Sequence, residues 1–368
     1  MIDSDYIRLA LTLAERGRQT TRPNPMVGAV VVRDGQILGR GYHAEPGGPH
    51  AEVAAIEDAG GCVRGSTVYV TLEPCCVQGR TPACTDLLID RGVTRVVCCH
   101  ADPDTRVSGE GFARLCEAGV EVEVGVLEDV AEALNEVYLA HRRTGRPFVT
   151  LKLAQSIDGS IATRQGDSRW ITGRLARTRC HQMRAEAQAV MVGVATVLAD
   201  DPALTVRHVD GTDPLRVVVD SQLRTPPDAA CLPAMIVTTS EDTEASRRLE
   251  AAGAEVVQVG ADDTGRPSVS ALMEYLGARD VIHVLVEGGS RLAASCLKAG
   301  AVDRVAMFAA PRVLGSGVPS IDDLGIQTVD AGVELAGVRT EWLGDDLLYT
   351  ALVRPAGEER RDRCLRVS

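Results

Sequence analysis

Aromatic side chains and long apolar runs are both scarce in this chain of 368 residues. Phenylalanine, tryptophan and tyrosine make up only 3% of a sequence that is 45% hydrophobic, so aliphatic cores are expected. The sequence contains no run of about 18 apolar residues, which is the length that a membrane-spanning helix needs. The stretch from Met1 to Ala14 is interrupted by charged residues, unlike a signal peptide. We therefore expect a cytoplasmic globular protein without membrane contact.

Positively charged residues are fewer than negatively charged ones. Lysine and arginine number 39 against 51 aspartates and glutamates, which gives a net charge of -12. A nucleic-acid-binding surface is expected to be basic, so the composition excludes nucleic acid and favours a small-molecule substrate. The cysteines number 11 and are scattered, and most are expected to be buried thiols in a reducing compartment rather than disulfides.

The stretch with the clearest chemical signal runs from His50 to Cys84. His50 stands two residues before Glu52, and Cys75 follows a proline 25 residues after the histidine. This arrangement is typical of a zinc-dependent nucleobase deaminase. One imidazole and two thiolates fill three tetrahedral positions and leave the fourth for water, whose pKa zinc lowers to about 7. Hydroxide is then available to attack an amidine carbon, with Glu52 as the proton shuttle.

The hydrophobic pattern predicts two α/β units, as expected for this length. The first begins with a helix over 5–16 and a hairpin over 27–42, and helices and strands then alternate up to residue 142. Alternation predicts a largely parallel sheet covered by helices on both faces. A helix over 50–59 has His50 and Glu52 in its first turn. A second helix is predicted to begin with Thr81 as its N-cap and Pro82 at its first position. Cys84 then lies in the first turn of that helix.

The stretch over 144–147 contains a glycine and a proline, interrupts the pattern and is taken as the domain boundary. A second unit of alternating helices and strands follows it. Within this unit the strand over 281–286 leads through Glu287-Gly288-Gly289 into a helix over 291–298, a geometry that can cradle an anion. The alternative is an ordinary turn. Two strands, over 303–309 and over 347–354, are expected to close the sheet.

Lys152 is unusual because it interrupts the apolar strand over 148–154. An ammonium group in that position is costly unless it is paired or lines a cleft. The sequence therefore favours a functional role for Lys152.

Several blocks in both units resemble the family of bifunctional riboflavin-biosynthesis deaminase/reductases. The blocks lie at 21–25, 50–53, 71–75 and 79–84 in the first unit and at 152–159, 168–172, 195–207 and 286–289 in the second. The resemblance implies a cytidine-deaminase-like three-layer domain over 1–145 and a dihydrofolate-reductase-like α/β domain over 146–356. A charged tail over 357–368 is expected to be disordered.

The resemblance also implies two consecutive reactions on a diaminopyrimidinone ribosylamine phosphate. The first hydrolyses the ring amino group with the help of Zn²⁺, and the second reduces the ribose to a ribityl chain with NADPH. A homo-oligomer, dimer or tetramer, is implied as well. Whether the intermediate is channelled between the sites stays open.

The resemblance divides the site residues among four roles. Glu52 and Lys152 are implied to be catalytic, and His50, Cys75 and Cys84 to bind zinc. NADPH contacts are implied for Ala154, Trp170, Thr196, Asp200, Ser221, Gly288, Gly289 and Ser290. Deaminase-substrate contacts are implied for Asn24, His43 and Arg80, and reductase-substrate contacts for Ser168, Arg184, Leu204, Arg207 and Glu287.

The residue types suit these roles. Arg184 and Arg207 can clamp a phosphomonoester through paired N–H donors, and Glu287 can accept from a pyrimidine N–H. The alternatives are a salt-bridged helix face for Arg184 and a core ring for Trp170.

Two departures from the family pattern affect the deaminase unit. Val77 stands where the family usually has a histidine, so either Gln78 substitutes or the deaminase is weakened or retuned. Asp104 stands where an asparagine is usual, which adds charge and removes a donor. Cys76 could also compete with Cys75 for the metal, although Cys75 directly follows the proline.

Two other functions therefore remain as alternatives. One is a relative with a silent or retuned deaminase half that acts on another aminopyrimidine. The other is a non-catalytic zinc and nucleotide sensor, against which the intact Glu52 argues.

Overall fold

The computed structural model describes residues 1–77 and 82–354, which form two compact units. The first consists of Met1–Pro147 and Leu276–Ile282, and the second takes up the rest of the described chain. The short segment Leu276–Ile282 was not expected in the first unit. The domain limits at 145 and 356 stay a prediction, and the charged tail lies outside the described residues.

The described part of the first unit has one five-stranded sheet in the order β2-β1-β3-β4-β5. β1 is antiparallel to β2 and β3, and the last three strands are parallel, so the sheet is mixed rather than largely parallel. The strands are β1 (Gly28–Arg33), β2 (Gln36–Tyr42), β3 (Thr67–Val70), β4 (Arg95–Cys98) and β5 (Glu121–Val124). The helices are α1 (Asp3–Ala14), α2 (Ala51–Asp58), α3 (Cys84–Asp90), α4 (Glu110–Glu117), α5 (Glu128–Leu134) and α6 (Glu136–Thr144).

Strand β1 shows why this sheet is covered on both faces. Val30 and Val32 pack in a cluster with α1, whereas Ala29 and Val31 pack in another cluster with α2. Successive side chains of a strand point to opposite faces, so an apolar run such as β1 needs a helix on each side. The expected three-layer arrangement is confirmed.

A glycine on β2 brings α2 close to the sheet. A Cβ atom at Gly41 would lie 2.4 Å from the carbonyl oxygen of Ala51, a distance that no side chain tolerates. The missing side chain therefore fixes the start of α2, where His50 and Glu52 are located.

The described part of the second unit has a nine-stranded sheet in the order β11-β10-β9-β8-β12-β6-β13-β16-β15 and a two-stranded sheet, β14-β7. The strands are β6 (Phe148–Ser156), β7 (Ser160–Ala162), β8 (Ala189–Gly193), β9 (Leu215–Val219), β10 (Met235–Thr238), β11 (Glu255–Gln258), β12 (His283–Val286), β13 (Arg304–Ala310), β14 (Val318–Pro319), β15 (Leu335–Leu343) and β16 (Asp346–Val353). The helices are α7 (Arg174–Glu186), α8 (Val194–Asp200), α9 (Thr243–Ala251), α10 (Val269–Gly277) and α11 (Ser290–Lys298).

The large sheet is parallel from β11 to β13 and antiparallel from there to β15. The two strands predicted at this end of the sheet are present as β13 and β16 and pair with each other, but they do not close it, because the unpredicted β15 pairs with β16 and forms the edge. β15 has the exposed side chain Trp342 and no buried residue, so it lacks the apolar pattern of an ordinary strand. No helix in the described parts of the chain is long and apolar enough to cross a membrane.

Two candidate active sites

Three predicted metal ligands meet in the first unit. His50 is the N-cap residue of α2, Cys84 is the first residue of α3, and Cys75 lies in the loop after β3. His50 Nδ1 lies 3.2 Å from Cys84 Sγ and 3.4 Å from Cys75 Sγ. Their donor atoms all lie within 4.8 Å of one another. A tetrahedral zinc ion requires about 3.6 Å between such nitrogen and sulfur atoms, so the residues fit Zn²⁺.

The start of α3 differs from the expectation in one detail. Ala83 occupies the N-cap position, so Pro82 precedes the helix instead of opening it. Thr81, the expected cap, lies outside the described residues. The backbone N–H of Cys84 donates to Cys75 Sγ at 3.4 Å, and this contact joins the two thiol-bearing segments directly.

The donor cluster favours a thiolate at Cys75. Its hydrogen bond with Cys84, helped by the bond to His50 and opposed by burial, lowers the pKa of Cys75 to about 4. The same contact with Cys75 raises the pKa of His50. A cysteine that ionises this readily is ready to bind a metal cation, because the thiolate is the ligand form.

Glu52 lies beside the ligands without joining them. Its side chain is buried, and burial together with the negative charge of Cys75 raises the pKa of Glu52 to about 7, against the effect of His50. A carboxyl group with a pKa near the working pH is suited to taking up and releasing protons. The position matches the predicted proton shuttle.

Asn24 and His43 form a hydrogen-bonded pair near the ligands. His43 Nδ1 donates to the carbonyl oxygen of Pro49 at 3.0 Å, so its Nε2 accepts from the Asn24 amide nitrogen, also at 3.0 Å. Burial lowers the pKa of His43, which keeps the ring neutral. The two predicted substrate contacts are therefore brought together, whereas Arg80 lies outside the described residues.

Glu73 was not singled out by the sequence, although it is buried immediately before Pro74. Its carboxylate accepts the backbone N–H groups of Asp102, Gly109 and Gly111 at 2.9–3.0 Å. These bonds fasten the loop that carries Cys75 to the loop over 102–111. The available signal was a carboxylate between a buried strand and a ligand, where an unsatisfied charge is costly.

The structure also shows how the departures from the family pattern are accommodated. Arg106 hydrogen-bonds Asp104 and, with burial opposing and Arg142 assisting, lowers the pKa of Asp104 to about 2, so the added charge is neutralised. The Cys76 thiol points to the Arg106 carbonyl oxygen at 3.8 Å and lies outside the ligand cluster, which favours Cys75 as the ligand. Val77 is exposed, and Gln78 lies outside the described residues.

The second unit contains a cavity of about 690 Å³. Of the predicted reductase residues, Lys152, Ala154, Ser168, Trp170, Arg184, Thr196, Asp200, Leu204, Arg207, Glu287, Gly288 and Gly289 line it. Ser221, just after β9, and Ser290, the first residue of α11, do not. A cavity of this volume is typical of a site for small molecules.

A buried charge cluster forms one wall of the cavity. Arg184 Nε and Nη2 both donate to the Glu287 carboxylate, the second at 2.8 Å, and Lys152 Nζ lies 3.9 Å from the same group. Burial raises the pKa of Glu287, but Arg184 and Lys152 outweigh it and lower that pKa to about 2. Lys152 is thus both paired and at a cleft, as its place in an apolar strand suggested.

Arg184 has partners in the protein besides its place in the cavity wall. Its Nη1 also donates to the carbonyl oxygen of Thr205 at 2.9 Å, so each of the three guanidinium nitrogens has a protein partner. The side chain is 10% exposed. Arg184 therefore orients Glu287, and its contact with the substrate stays a prediction.

The wall near the glycine pair suits a nucleotide cofactor. Gly288 and Gly289 both have positive φ angles, 109° and 60°, and a Cβ atom at Gly289 would lie 3.3 Å from Thr196 Oγ1. Small residues there leave the backbone accessible to a bound group. Trp170 is 62% exposed, so the core-ring alternative is wrong, and the Arg177 guanidinium lies 4.5 Å from its ring centre.

Helix α7 contributes four cavity residues that the sequence interpretation missed, namely Ala176 and three residues on one face with Arg184. Arg177, Cys180 and His181 line the cavity together with Arg184. Positions i, i+3, i+4 and i+7 share one face of a helix, so this spacing was the signal that could have found them. It was obscured because arginines also occupy other faces of α7.

Comparisons with known proteins agree with both sites. Residues 147–349 match the model of the RibD C-terminal domain, and residues 1–100 match the cytidine and deoxycytidylate deaminase zinc-binding region. The riboflavin biosynthesis protein RibD of Aquifex aeolicus is 43% identical over 94% of this chain and 97% of its own. This chain belongs to the RibD family. It therefore combines a zinc-dependent deaminase domain with an NADPH-dependent reductase domain of riboflavin biosynthesis.

Solved structures extend the RibD similarity over both units. Acinetobacter baumannii RibD has a TM-score of 0.86 at 34% identity, covering 96% of this chain and 99% of that one. The Thermotoga maritima diaminohydroxyphosphoribosylaminopyrimidine deaminase/5-amino-6-(5-phosphoribosylamino)uracil reductase has a TM-score of 0.84 at 36% identity, with the same coverage. The expected cytidine-deaminase-like and dihydrofolate-reductase-like folds are confirmed.

Proposed function

We propose that the two reactions are carried out by the residues brought together in the two units. In the first unit, the ring amino group of a diaminopyrimidinone ribosylamine phosphate is hydrolysed to give a uracil and ammonia. In the second, the ribosyl group of that product is reduced to a ribityl chain. The proposal is carried by the cluster of His50, Cys75 and Cys84 beside buried Glu52.

His50, Cys75 and Cys84 are the zinc ligands in this proposal. Zinc bound there supplies a water acidic enough to act as a nucleophile near neutral pH. Glu52 takes up the proton of the attacking water and passes it to the departing amino group, which a pKa of about 7 allows. Asn24 and His43 orient the pyrimidine through their hydrogen-bonding edges, with Arg80 assigned to the same task.

In the second unit Lys152 is the catalytic cation. Glu287 holds the Lys152 ammonium group at the cavity through an ion pair, with Lys152 Nζ 3.9 Å from the Glu287 carboxylate. Lys152 donates its proton to the ribose oxygen as the sugar carbon is reduced. NADPH supplies the hydride, and the protein supplies its position.

The remaining cavity residues divide between the two ligands. Ala154, Trp170, Thr196, Asp200, Gly288 and Gly289 are assigned to NADPH, and Ser168, Arg184, Leu204, Arg207 and Glu287 to the substrate. Ser168 donates to Asp200 at 3.0 Å, so a substrate residue and a cofactor residue support each other. Ser221 and Ser290 are kept as more distant cofactor contacts.

The test is product analysis by mass. Purified protein is incubated with the diaminopyrimidinone substrate, with and without NADPH. A uracil product without NADPH and its ribityl derivative with NADPH are expected. If no uracil product forms, the deaminase assignment is wrong. If the uracil substrate, supplied separately with NADPH, is not reduced, the reductase assignment is wrong.

Val77 supports a second candidate, a deaminase half retuned for another aminopyrimidine. Valine offers no hydrogen bond, and it is exposed beside Cys76. Ammonia release from a panel of aminopyrimidines distinguishes the candidates, because a retuned site prefers a different member. We further propose a cytoplasmic homo-oligomer, to be checked by light scattering of the purified chain.

A further inference from the structure

Strand β15 forms one edge of the nine-stranded sheet. Within residues 1–77 and 82–354, β16 is its only partner strand. None of its nine residues is buried, and Trp342 and Val338 are 72% and 52% exposed. Natural proteins usually protect such an edge with proline or lysine, because its unpaired backbone groups are a template for another strand. β15 contains neither residue, so this part of the structure leaves its outer side available to a partner strand.

Part of the β15 backbone faces away from β16. The two strands are joined by the turn Gly344-Asp345, and their register is regular over 339–343. Opposite residues in an antiparallel pair alternate between those that exchange backbone hydrogen bonds and those that do not, and the pair beside a two-residue turn exchanges them. The odd-numbered residues therefore bond to β16, and the Arg339 carbonyl oxygen also accepts from Thr350 Oγ1 at 3.5 Å. The backbone N–H and C=O groups of Thr340 point outward.

Five consecutive residues of β15 are complementary to a second copy of themselves. In an antiparallel pair centred on Thr340, Arg339 of each copy lies opposite Glu341 of the other. The same register places Val338 opposite Trp342. Cross-strand pairs of opposite charge, and of an aromatic with a β-branched residue, are stabilising. Pairing is therefore favoured by side chains on both faces of the strand.

The charges also select this register over its neighbours. A pair centred on Arg339 would place two arginines opposite each other, and a pair centred on Glu341 would place two glutamates opposite each other. Like charges in directly opposite positions are destabilising. The Glu341 carboxylate is exposed, with Arg179 Nε of the same copy 4.0 Å away, so it can accept a second arginine. Thr340 thus gives a neutral centre between opposite charges.

We propose that two copies of this chain associate through β15, by antiparallel pairing centred on Thr340. The inference rests on the homo-oligomer proposed above and specifies its surface and register. A second copy is the partner because β15 supplies both members of each charged pair and of each apolar pair. In a twofold-symmetric pair each of these contacts occurs twice, as in an isologous dimer.

The test is charge reversal at the two ends of the ion pair. Arg339→Glu and Glu341→Arg each replace both ion pairs by like charges, so each should raise the dissociation constant of the dimer at least about tenfold. The double variant Arg339→Glu/Glu341→Arg exchanges the charges and should associate nearly as well as the wild-type protein. Light scattering of the full chain over a dilution series, without substrate or NADPH, measures the dissociation constants, and circular dichroism checks the fold of each variant.

Arg247→Glu is the matched control. Arg247 is exposed on α9, which contacts β11 at the opposite edge of the sheet, so the same change of charge should leave the dissociation constant unchanged. The proposal is overturned if the single reversals weaken association no more than Arg247→Glu, or if the double variant stays dissociated. An assembly that survives both single reversals would exclude this surface but leave the homo-oligomer standing. A wild-type monomer at every concentration would refute both.

Hydrogen exchange of the wild-type protein gives a second measurement that needs no variant. Backbone amide hydrogens over 338–342 should exchange more slowly at high than at low protein concentration, because the Thr340 N–H groups become bonded across the pair. The same exchange rate before and after dissociation of the assembly would overturn the proposal.

Discussion

The two sites differ in how far their parts are spread along the chain. In the first unit the zinc donors lie within 4.8 Å of one another and come from residues 50 to 84. In the second unit the residues lining the 690 Å³ cavity come from residues 152 to 320. A hydrolytic site has to fix one metal and one carboxylate, whereas a hydride-transfer site has to align two large ligands. The site in the first unit is therefore expected to fail when a zinc ligand or Glu52 is replaced, whereas the site in the second unit is expected to lose function gradually.

The zinc-ligand cluster with Glu52 in the first unit is the compact site, and the cavity of the second unit is the dispersed site. The largest expected effect is the loss of a zinc ligand from the compact site. Cys84→Ser removes a thiolate that binds zinc far better than a hydroxyl group does. The amount of bound zinc and the rate of ammonia release should therefore both fall to background. Reduction of supplied uracil substrate should persist, because all described cavity residues belong to the second unit. Elemental analysis and the two separate assays measure this. Zinc content equal to that of the wild-type protein would show that Cys84 is not a ligand.

Glu52→Gln should give the next largest effect. The amide has similar size but cannot exchange protons, so ammonia release should fall about 10²–10⁴-fold, the usual contribution of general acid–base catalysis. Zinc should remain bound, because Glu52 is not among the donors. Metal loss in this variant, measured by elemental analysis, would contradict the assigned role.

The contrast between the sites also explains what could be predicted from the sequence. His50, Cys75 and Cys84 were found because each belongs to a short motif next to a helix start or a strand end. The hydrogen-bonding partners of Glu73 could not be predicted, because its backbone donors lie 29 to 38 residues further along the chain. Short motifs report side-chain chemistry, but they do not report which distant backbone group receives a hydrogen bond.

The second unit was harder to predict for the same reason. Arg184 was recognised as a functional arginine, but its partner Glu287 is 103 residues away, so its commitment to that carboxylate was not visible. Buried strands such as β12 were predicted from apolar runs. The edge strand β15 was missed because its exposed residues follow no hydrophobic pattern.

Lys152→Met tests the dispersed site. The variant keeps the length and apolar stem of the side chain but removes the proton donor, so the reductase rate should fall about a hundredfold. NADPH binding should change little, since the cavity wall around Gly288 and Gly289 is untouched, and ammonia release should be unaffected. Single-turnover reduction and cofactor titration by fluorescence measure the two effects. An unchanged reduction rate would remove Lys152 from the catalytic role.

The smallest expected effect concerns Val77, where the compact site departs from the family pattern. Valine cannot donate to a polar substrate edge, and one unpaired acceptor costs about 1–3 kcal/mol, so Val77→His should raise the deaminase rate roughly tenfold. Val77→Phe is the control, because it adds a ring of similar size without a donor and should give no gain. The readout is kcat/KM for ammonia release, with reduction of supplied uracil as the internal reference. If histidine gives no more than phenylalanine, or lowers the rate, the loop is organised for another aminopyrimidine, and the compact site is specialised in the one place where its sequence departs from the family.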